Sequence, residues 1–320
     1  MTSGSRRLGQ TEIEISPIGL GVMQFAGGKG MFRAMYPELT QNKMNEIVKT
    51  AWEGGINWFD TAEMYGAGRS EKGLAEALKA NGIKPGEGLI ATKWWPLLRT
   101  ARNIPRSIQK RRRFLSPYGI DLYQVHQPIS FSSPEEEMDA MADLEEAGLI
   151  CSVGVSNYNA DRMRRAHAAL QKRGLTLASN QVQYSLLHRQ IETNGILETA
   201  KELGITIIAW GPLASGLLSG KYHRDPEVLR SRAFGRRARL QNQLDESRQV
   251  IAVLEEIASV YAVTAAQVAL NWLIHAHGDT VVAIPGATKP HHAGQNAGVM
   301  KFKLAENEMA RIQDVSRRYG

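Results

Sequence analysis

A chain of 320 residues is long enough to bury a substantial core, and with 43% hydrophobic and 22% charged residues it has the balance of an ordinary globular protein, which excludes intrinsic disorder. One cysteine excludes an intrachain disulfide framework or a thiolate metal cluster, and no stretch reaches the ~20 apolar residues of a membrane span. The net charge of +7 is concentrated in Arg99 to Arg113, with its KRRRF run, and in Lys221 to Arg239, with SRAFGRRARL; solvated surface is the plain reading and attraction of an anionic ligand the functional one.

The opening MTSGSRRLGQTEIEIS has no apolar segment of signal-peptide length, so a cytoplasmic protein is expected, or an organellar one if a transit peptide has been removed. From there, short apolar runs alternate with helical patterns. The candidate strands, in order, are SPIGLGV, GINWFDTA, GLIATK, IDLYQVHQ, ICSVGVSN, ASNQVQY, ITIIAWG and TVVAIPG. Between them QNKMNEIVKTAWEG, SEKGLAEALKANG and SPEEEMDAMADLEEAG read as helices that start near capping residues and stop at glycine. Eight such units predict an α/β fold, a (β/α)8 TIM barrel formed by residues 1–320 as a single domain. The surplus length is assigned to long loops at 24–40, 94–104 and 211–245, and LAENEMARIQDVSRRYG to an extra C-terminal helix. Cys151, inside the apolar run LICSVGV, is expected to be buried and inert.

Familiar nucleotide motifs fail. GLGVMQ lacks the third glycine of a dinucleotide fingerprint, and GLLSGKY has a tyrosine, Tyr222, where a P-loop needs Ser or Thr. Neither HExxH nor G-x-S-x-G is present, which disfavours metallohydrolase and serine-hydrolase chemistry.

In a barrel of this type the chemistry lies at the carboxyl ends of the strands. The polar residues there are Asp60 after INWF, Lys93 after LIAT, His126 after DLYQV, Ser156 and Asn157 after VGV, and Gln181 after ASN. Each alone is explained as a cap, a solvated charge or a bonded core group. Their recurrence at one end of successive strands points to a site, because a buried charge must be paired. Tyr65 adds a proton donor. A phenol with a free pKa near ~10 is a poor acid, and an adjacent ammonium stabilises its phenolate. These are the parts for donating a proton to a carbonyl oxygen while another group supplies hydride.

FDTAEMYGAGRSEKGLAEAL, ATKWW, YQVHQ, VGVSNY, NQVQYSLL, AWGPLASGLLSGKY and IPGATKPHHAGQNAG, in this order over nearly the whole chain, resemble the aldo-keto reductase superfamily, in the branch of bacterial and plant reductases and potassium-channel β-subunits. The resemblance implies a catalytic tetrad of Asp60, Tyr65, Lys93 and His126, with Tyr65 as general acid, Lys93 lowering its pKa, Asp60 holding Lys93, and His126 placing the carbonyl. It implies an extended nicotinamide cofactor, NADPH by preference. Ser156, Asn157 and Gln181 would hold the carboxamide and Trp210 would stack on the ring, near Gly21, Met23 and Asp60. Gly211, Pro212, Leu213, Ser215 and Lys221 would meet the pyrophosphate. Gly286, Thr288, Lys289, His292, Gln295 and Asn296 would hold the adenosine end. Many NADPH-selective relatives have an arginine where Thr288 or His292 stands, and the compact Lys289 keeps NADH open as an alternative.

Met23, Phe25, Trp94, Trp95 and Phe131 are the expected substrate-pocket walls, suited to hydrophobic aldehydes and ketones. The rival function is a redox-sensing, nicotinamide-binding regulatory subunit with slow turnover, against which His126 argues, since the channel β-subunits carry asparagine there. No nucleic-acid or membrane partner is expected, and both a monomer and an oligomer are left open.

Overall fold

The computed structural model describes residues 4–28, 37–230 and 234–320. Among the described residues ten strands are formed: β1 (Arg6–Arg7), β2 (Glu14–Ile15), β3 (Leu20–Gly21), β4 (Trp58–Asp60), β5 (Leu89–Trp94), β6 (Leu122–Val125), β7 (Val153–Ser156), β8 (Leu177–Gln183), β9 (Thr206–Trp210) and β10 (Val281–Ala283). The last eight pair in parallel in sequence order, β3 to β10. Parallel bridges Ile18–Ala283 and Gly21–Gly286, with Gly19 N–H donating to the Ala283 carbonyl at 2.8 Å, join first to last and close the barrel.

The first six helices of the outer shell are α1 (Gln41–Glu53), α2 (Arg69–Ala80), α3 (Ile104–Leu115), α4 (Pro134–Glu146), α5 (Ala160–Gln171) and α6 (Ile196–Leu203). They are followed by α7 (Lys221–Arg224), α8 (Pro226–Arg230), α9 (Phe234–Val260), α10 (Ala265–His275), α11 (Pro290–Gly298) and α12 (Glu306–Ser316). The three helices read from sequence are α1, α2 and α4. Their starts follow local chemistry: Thr40 caps α1 by accepting the Lys43 N–H, and Ser133 and Glu136 form a reciprocal capping box on α4. The expected C-terminal helix is α12.

Strand side chains alternate between two environments, and this alternation divides the core. Phe59, Ile90, Tyr123, Val125, Val155, Ile207 and Ala283 pack outward against the helices. Trp58, Ala91, Leu122, Ala178, Ile208 and Val282 point inward and fill the amino-terminal end of the barrel. A hairpin of β1 and β2, which sequence periodicity does not reveal because its strands are two residues long, lays Leu8 and Ile15 over that filling. The next inward positions on the same strands are Asp60, Lys93 and Gln124. The apolar plug therefore sits directly under a polar layer at the opposite end.

Several expectations need correction. Cys151 is exposed, not buried, because β7 begins only at Val153 and the cysteine belongs to the bend that precedes it. The connection 211–245 is largely helical, containing α7, α8 and the start of the 27-residue α9. Residues 29–36 of the 24–40 loop, and 231–233 of SRAFGRRARL, lie outside the described residues. The KRRRF run is not a uniformly solvated face, since Arg111 on α3 is buried against two glutamates.

Closure of the barrel leaves no room at Gly19, where an added Cβ would stand 2.4 Å from the Trp58 indole. That ring is held by its own N–H bond to the Ser16 carbonyl at 2.9 Å and cannot move aside freely. Gly19→Ala should lower stability by about 1–3 kcal/mol through overpacking, read as a reduced urea midpoint with an unchanged slope.

Candidate active site

At the carboxyl end of the strands, Lys93 and Asp60 meet across the barrel interior. The Lys93 ammonium donates to Asp60 Oδ1 at 2.6 Å and to the Thr61 carbonyl at 2.8 Å, and both side chains are almost wholly buried. The second carboxylate oxygen accepts the Gln181 side-chain amide at 2.9 Å. Burial holds the Lys93 pKa below that of an ordinary lysine, and the facing Asp60 opposes this drop.

Tyr65 reaches the same place by a sharp reversal of the chain. Its N–H bonds to the Ala62 carbonyl at 3.0 Å, and Gly66, Ala67 and Gly68 follow with φ of 64°, 54° and 95°. Three successive left-handed residues turn the backbone toward α2, and Ala67 accepts a conformation that costs a residue bearing a Cβ about 1–3 kcal/mol. The Lys93 nitrogen lies 5.2 Å from the centroid of the half-buried Tyr65 ring. The His126 ring meets Tyr65 edge-on at 5.7 Å, and Trp95 meets His126 edge-on at 5.2 Å. Burial, and then the charge of Lys93, hold the His126 pKa well below the usual histidine value, so the imidazole is neutral near pH 7. Its Nδ1 is buried without a hydrogen-bond partner.

The neighbouring strand ends form one connected chain of polar groups. The Ser156 hydroxyl donates to the Gln181 carbonyl at 2.8 Å, and the Asn157 amide donates to Ser156 Oγ at 3.0 Å. Asn157 Oδ1 accepts the Trp210 indole N–H at 3.1 Å. Asn157 itself has a φ of 60°, a strained backbone of the kind that collects at functional positions. After Trp210 the chain passes through left-handed residues at Gly211, Ala214, Ser215, Gly216 and Gly220, a backbone of the type that forms anion-binding concavities. Pro212 is buried there, and Leu213 and Lys221 are half-buried.

The last expected segment follows β10. Gly286 bridges to Gly21, so backbone approaches backbone at the seam, and a Cβ on Gly286 would strike the Gln24 side chain. Thr288 and Lys289 lead into α11, which carries His292, Gln295 and Asn296. The His292 pKa is pushed down to about 4, first by burial and then by His291, Lys221 and Lys289. The loop after β9 and the segment after β10 thus share one positive field. Buried Asn296 Nδ2 has no hydrogen-bond partner. A positive field, an unpartnered amide and a left-handed loop suit a phosphate-bearing dinucleotide, so these residues fit the expected cofactor.

The expected substrate walls do not all come together. Trp95 packs on His126, and Phe131 is 72% exposed on the loop after β6. Met23 is half-buried in a short turn after β3. Trp94 is fully buried in the outward layer with its indole N–H donating to Asn103 at 3.0 Å, since the alternation that turns Lys93 inward turns its neighbour out. Phe25 is likewise buried, beside Leu39 and Met44 near α1 and α2. Neither lines the mouth.

Sequence reading overlooked Glu63. Its carboxylate accepts the Trp95 backbone N–H, Arg99 and Ser107 at 3.0–3.1 Å, and lies 3.2 Å from Arg111. No local signal marks it, since Arg99 and Arg111 are 36 and 48 residues away in the chain and only the fold brings them to it. Gln124, buried beside Gln181, was also missed.

The aldo/keto reductase family model matches residues 17–317. An uncharacterized oxidoreductase of Mycobacterium tuberculosis is 35% identical over 306 residues, covering 96% of this chain and 91% of its own. The chloroplastic pyridoxal reductase of Arabidopsis thaliana is 32% identical, covering 94% of this chain and 83% of its own. Among solved structures, the thermostable aldo-keto reductase Tm1743, crystallised with the inhibitor epalrestat, is 30% identical, with a TM-score of 0.78 and coverage of 98% and 99%. With the match running from the first barrel strand to the C-terminal helix, the chain belongs to the aldo/keto reductase family.

Proposed function

We propose that the protein reduces aldehydes and ketones to alcohols with NADPH, using Tyr65 as the general acid. The coarser statement, an oxidoreductase acting on carbonyl groups with a nicotinamide cofactor, follows from the family. The observation that carries the finer one is the buried Lys93–Asp60 pair beneath the Tyr65 ring, with the neutral His126 at its edge.

The dinucleotide, when bound, supplies hydride to the carbonyl carbon. Tyr65 gives its phenolic proton to the carbonyl oxygen, and the phenolate so formed faces the Lys93 ammonium. Asp60 holds that ammonium in place from below, and Gln181 holds Asp60. The neutral His126 is a poor proton source at pH 7, so it orients the carbonyl by hydrogen bonding and leaves the acid role to Tyr65.

Ser156, Asn157 and Gln181 supply donors and acceptors for a carboxamide, and Trp210, tied to Asn157, offers an aromatic face beside them. Gly21, Met23 and Asp60 border this end. Gly211, Pro212, Leu213, Ser215 and Lys221 form the pyrophosphate side. Gly286, Thr288, Lys289, His292, Gln295 and Asn296 take the adenosine, and the cationic field around His292 favours the extra phosphate of NADPH. Trp95 and the exposed Leu98, Ile129 and Phe131 give the mouth an apolar rim. This rim, and the pyridoxal named for the plant relative, support aromatic or hydrophobic aldehydes as substrates.

Tyr65→Phe should reduce turnover by about 10²–10⁴-fold. Dinucleotide affinity, followed by tryptophan quenching, should stay within about twofold; normal turnover would remove Tyr65 from the acid role. Lys221→Ala should weaken dinucleotide binding by about tenfold, the scale of one charge-assisted hydrogen bond. An unchanged dissociation constant would make Lys221 a surface charge.

The pH profile of kcat tests the neutral state of His126. His126, with its pKa held well below the usual value, should add no step between about pH 6 and 8. An NMR titration of the His126 ring over that range should show no protonation; a midpoint near ~6.5 would refute the neutral assignment.

A further inference from the structure

Glu63 lies between Asp60 and Tyr65 in the chain, and its contacts reach β5, the loop after it and α3. Its backbone N–H donates to the Lys93 carbonyl at 3.1 Å. Its carboxylate accepts the Trp95 backbone N–H at 3.0 Å, the Ser107 hydroxyl at 3.1 Å and Arg99 Nη1 at 3.0 Å. Arg111, 1% exposed, stands 3.2 Å from the same carboxylate and 2.9 Å from Glu71.

These contacts run outward from Glu63 along two routes. Through Arg99, whose carbonyl accepts the Phe131 N–H at 2.9 Å, the loop after β5 is joined to the loop after β6. Through Arg111 and Glu71, which accepts the Thr92 hydroxyl at 2.8 Å, the staple reaches the residue before Lys93. Trp95 is the residue that needs such support. It follows β5 directly, is only half-buried, and touches His126 edge-on. Leu98, three residues on, has a φ of 57° and is 77% exposed, so the loop tip carries backbone strain and contributes little burial.

Building on the reductase reading, we infer that Glu63 is a positioning residue: it locks the loop after β5 so that Trp95 stays against His126 and the carbonyl is held in line with Tyr65. The Glu63 carboxylate is directed at Trp95, Ser107 and two arginines. Its effect on rate passes through the placement of Trp95 and His126, and a small displacement of these groups is enough to cost rate. Glu71, with its pKa pushed up to about 7 by burial, is a weak substitute as counter-charge for two arginines.

The test compares Glu63→Gln and Arg99→Gln with the unmodified protein by two readouts: amide hydrogen exchange followed by mass spectrometry, and steady-state reduction of an aromatic aldehyde with NADPH. Glu63→Gln is expected to speed exchange in residues 94–104 by about tenfold or more while α5 is unchanged. It should lower kcat by about tenfold or more and leave the NADPH dissociation constant within about twofold. Arg99→Gln, which removes only the partly exposed arm, should move both readouts in the same direction by less, and it carries the test if the Glu63 variant does not fold. Faster exchange spread over the whole chain would make Glu63 a general stability residue and overturn the inference. So would faster exchange confined to 94–104 with kcat unchanged, or no change in either readout. An unmodified protein that binds NADPH and reduces no aldehyde would instead refute the reductase reading, and the exchange of 94–104 alone would then decide whether Glu63 holds the loop.

Discussion

The arrangement depends on one interaction, the contact between the Lys93 ammonium and the Asp60 carboxylate in the barrel interior. Two charges removed from water are tolerable only when geometry is good and the remaining donors and acceptors are satisfied. Both conditions are met here, by Thr61 on one side and Gln181 on the other. Removing either partner would leave a buried charge uncompensated, a loss on the order of 3–5 kcal/mol. The pair is therefore a structural commitment in its own right.

The two-residue alternation of parallel strands builds the setting for that pair. On β4, Trp58 and Asp60 share the inward face, and on β5 Ala91 and Lys93 do. The lower member of each couple packs under the β1–β2 hairpin, which keeps that end filled. The upper members meet each other, and Asp60 is bonded in turn by Gln181 of β8. A filled lower end restricts water to the carboxyl-terminal face, where Tyr65, His126 and Trp95 gather. The helical shell contributes through side chains rather than through its axis directions. Arg111 on α3 and Glu71 on α2 reach back to the residues flanking the pair.

Legibility in the sequence varied with the range of the interaction that decides each feature. The strands and the helices α1, α2, α4 and α12 are set by local periodicity and caps, and they stand where that pattern puts them. Polar residues at strand ends were legible for the same reason, because the barrel fixes which end carries chemistry. Trp94 and Phe25 were assigned to the mouth on residue type, and the pleat and the packing of the first loop turned both into the helix-facing core. Cys151 was assigned to a strand that begins two residues later. The basic run around Arg111 read as surface because its partners, Glu63 and Glu71, are 48 and 40 residues away in the chain.

By itself the sequence determined the βα alternation, the closed barrel it implies, the family, and the polar residues that stand at the strand ends. Each of these follows from a pattern within one or two elements, or from ordered motifs along the whole chain. The tertiary structure alone decided contacts the sequence had left open: that Gln181 bonds Asp60, that Trp95 rather than Trp94 packs on His126, and that Glu63 ties the loop after β5 to α3. These are contacts between segments tens of residues apart, and they are set by strand register and by the need to pair every buried charge. No local signal carries that information, because burial exists only once the barrel has closed.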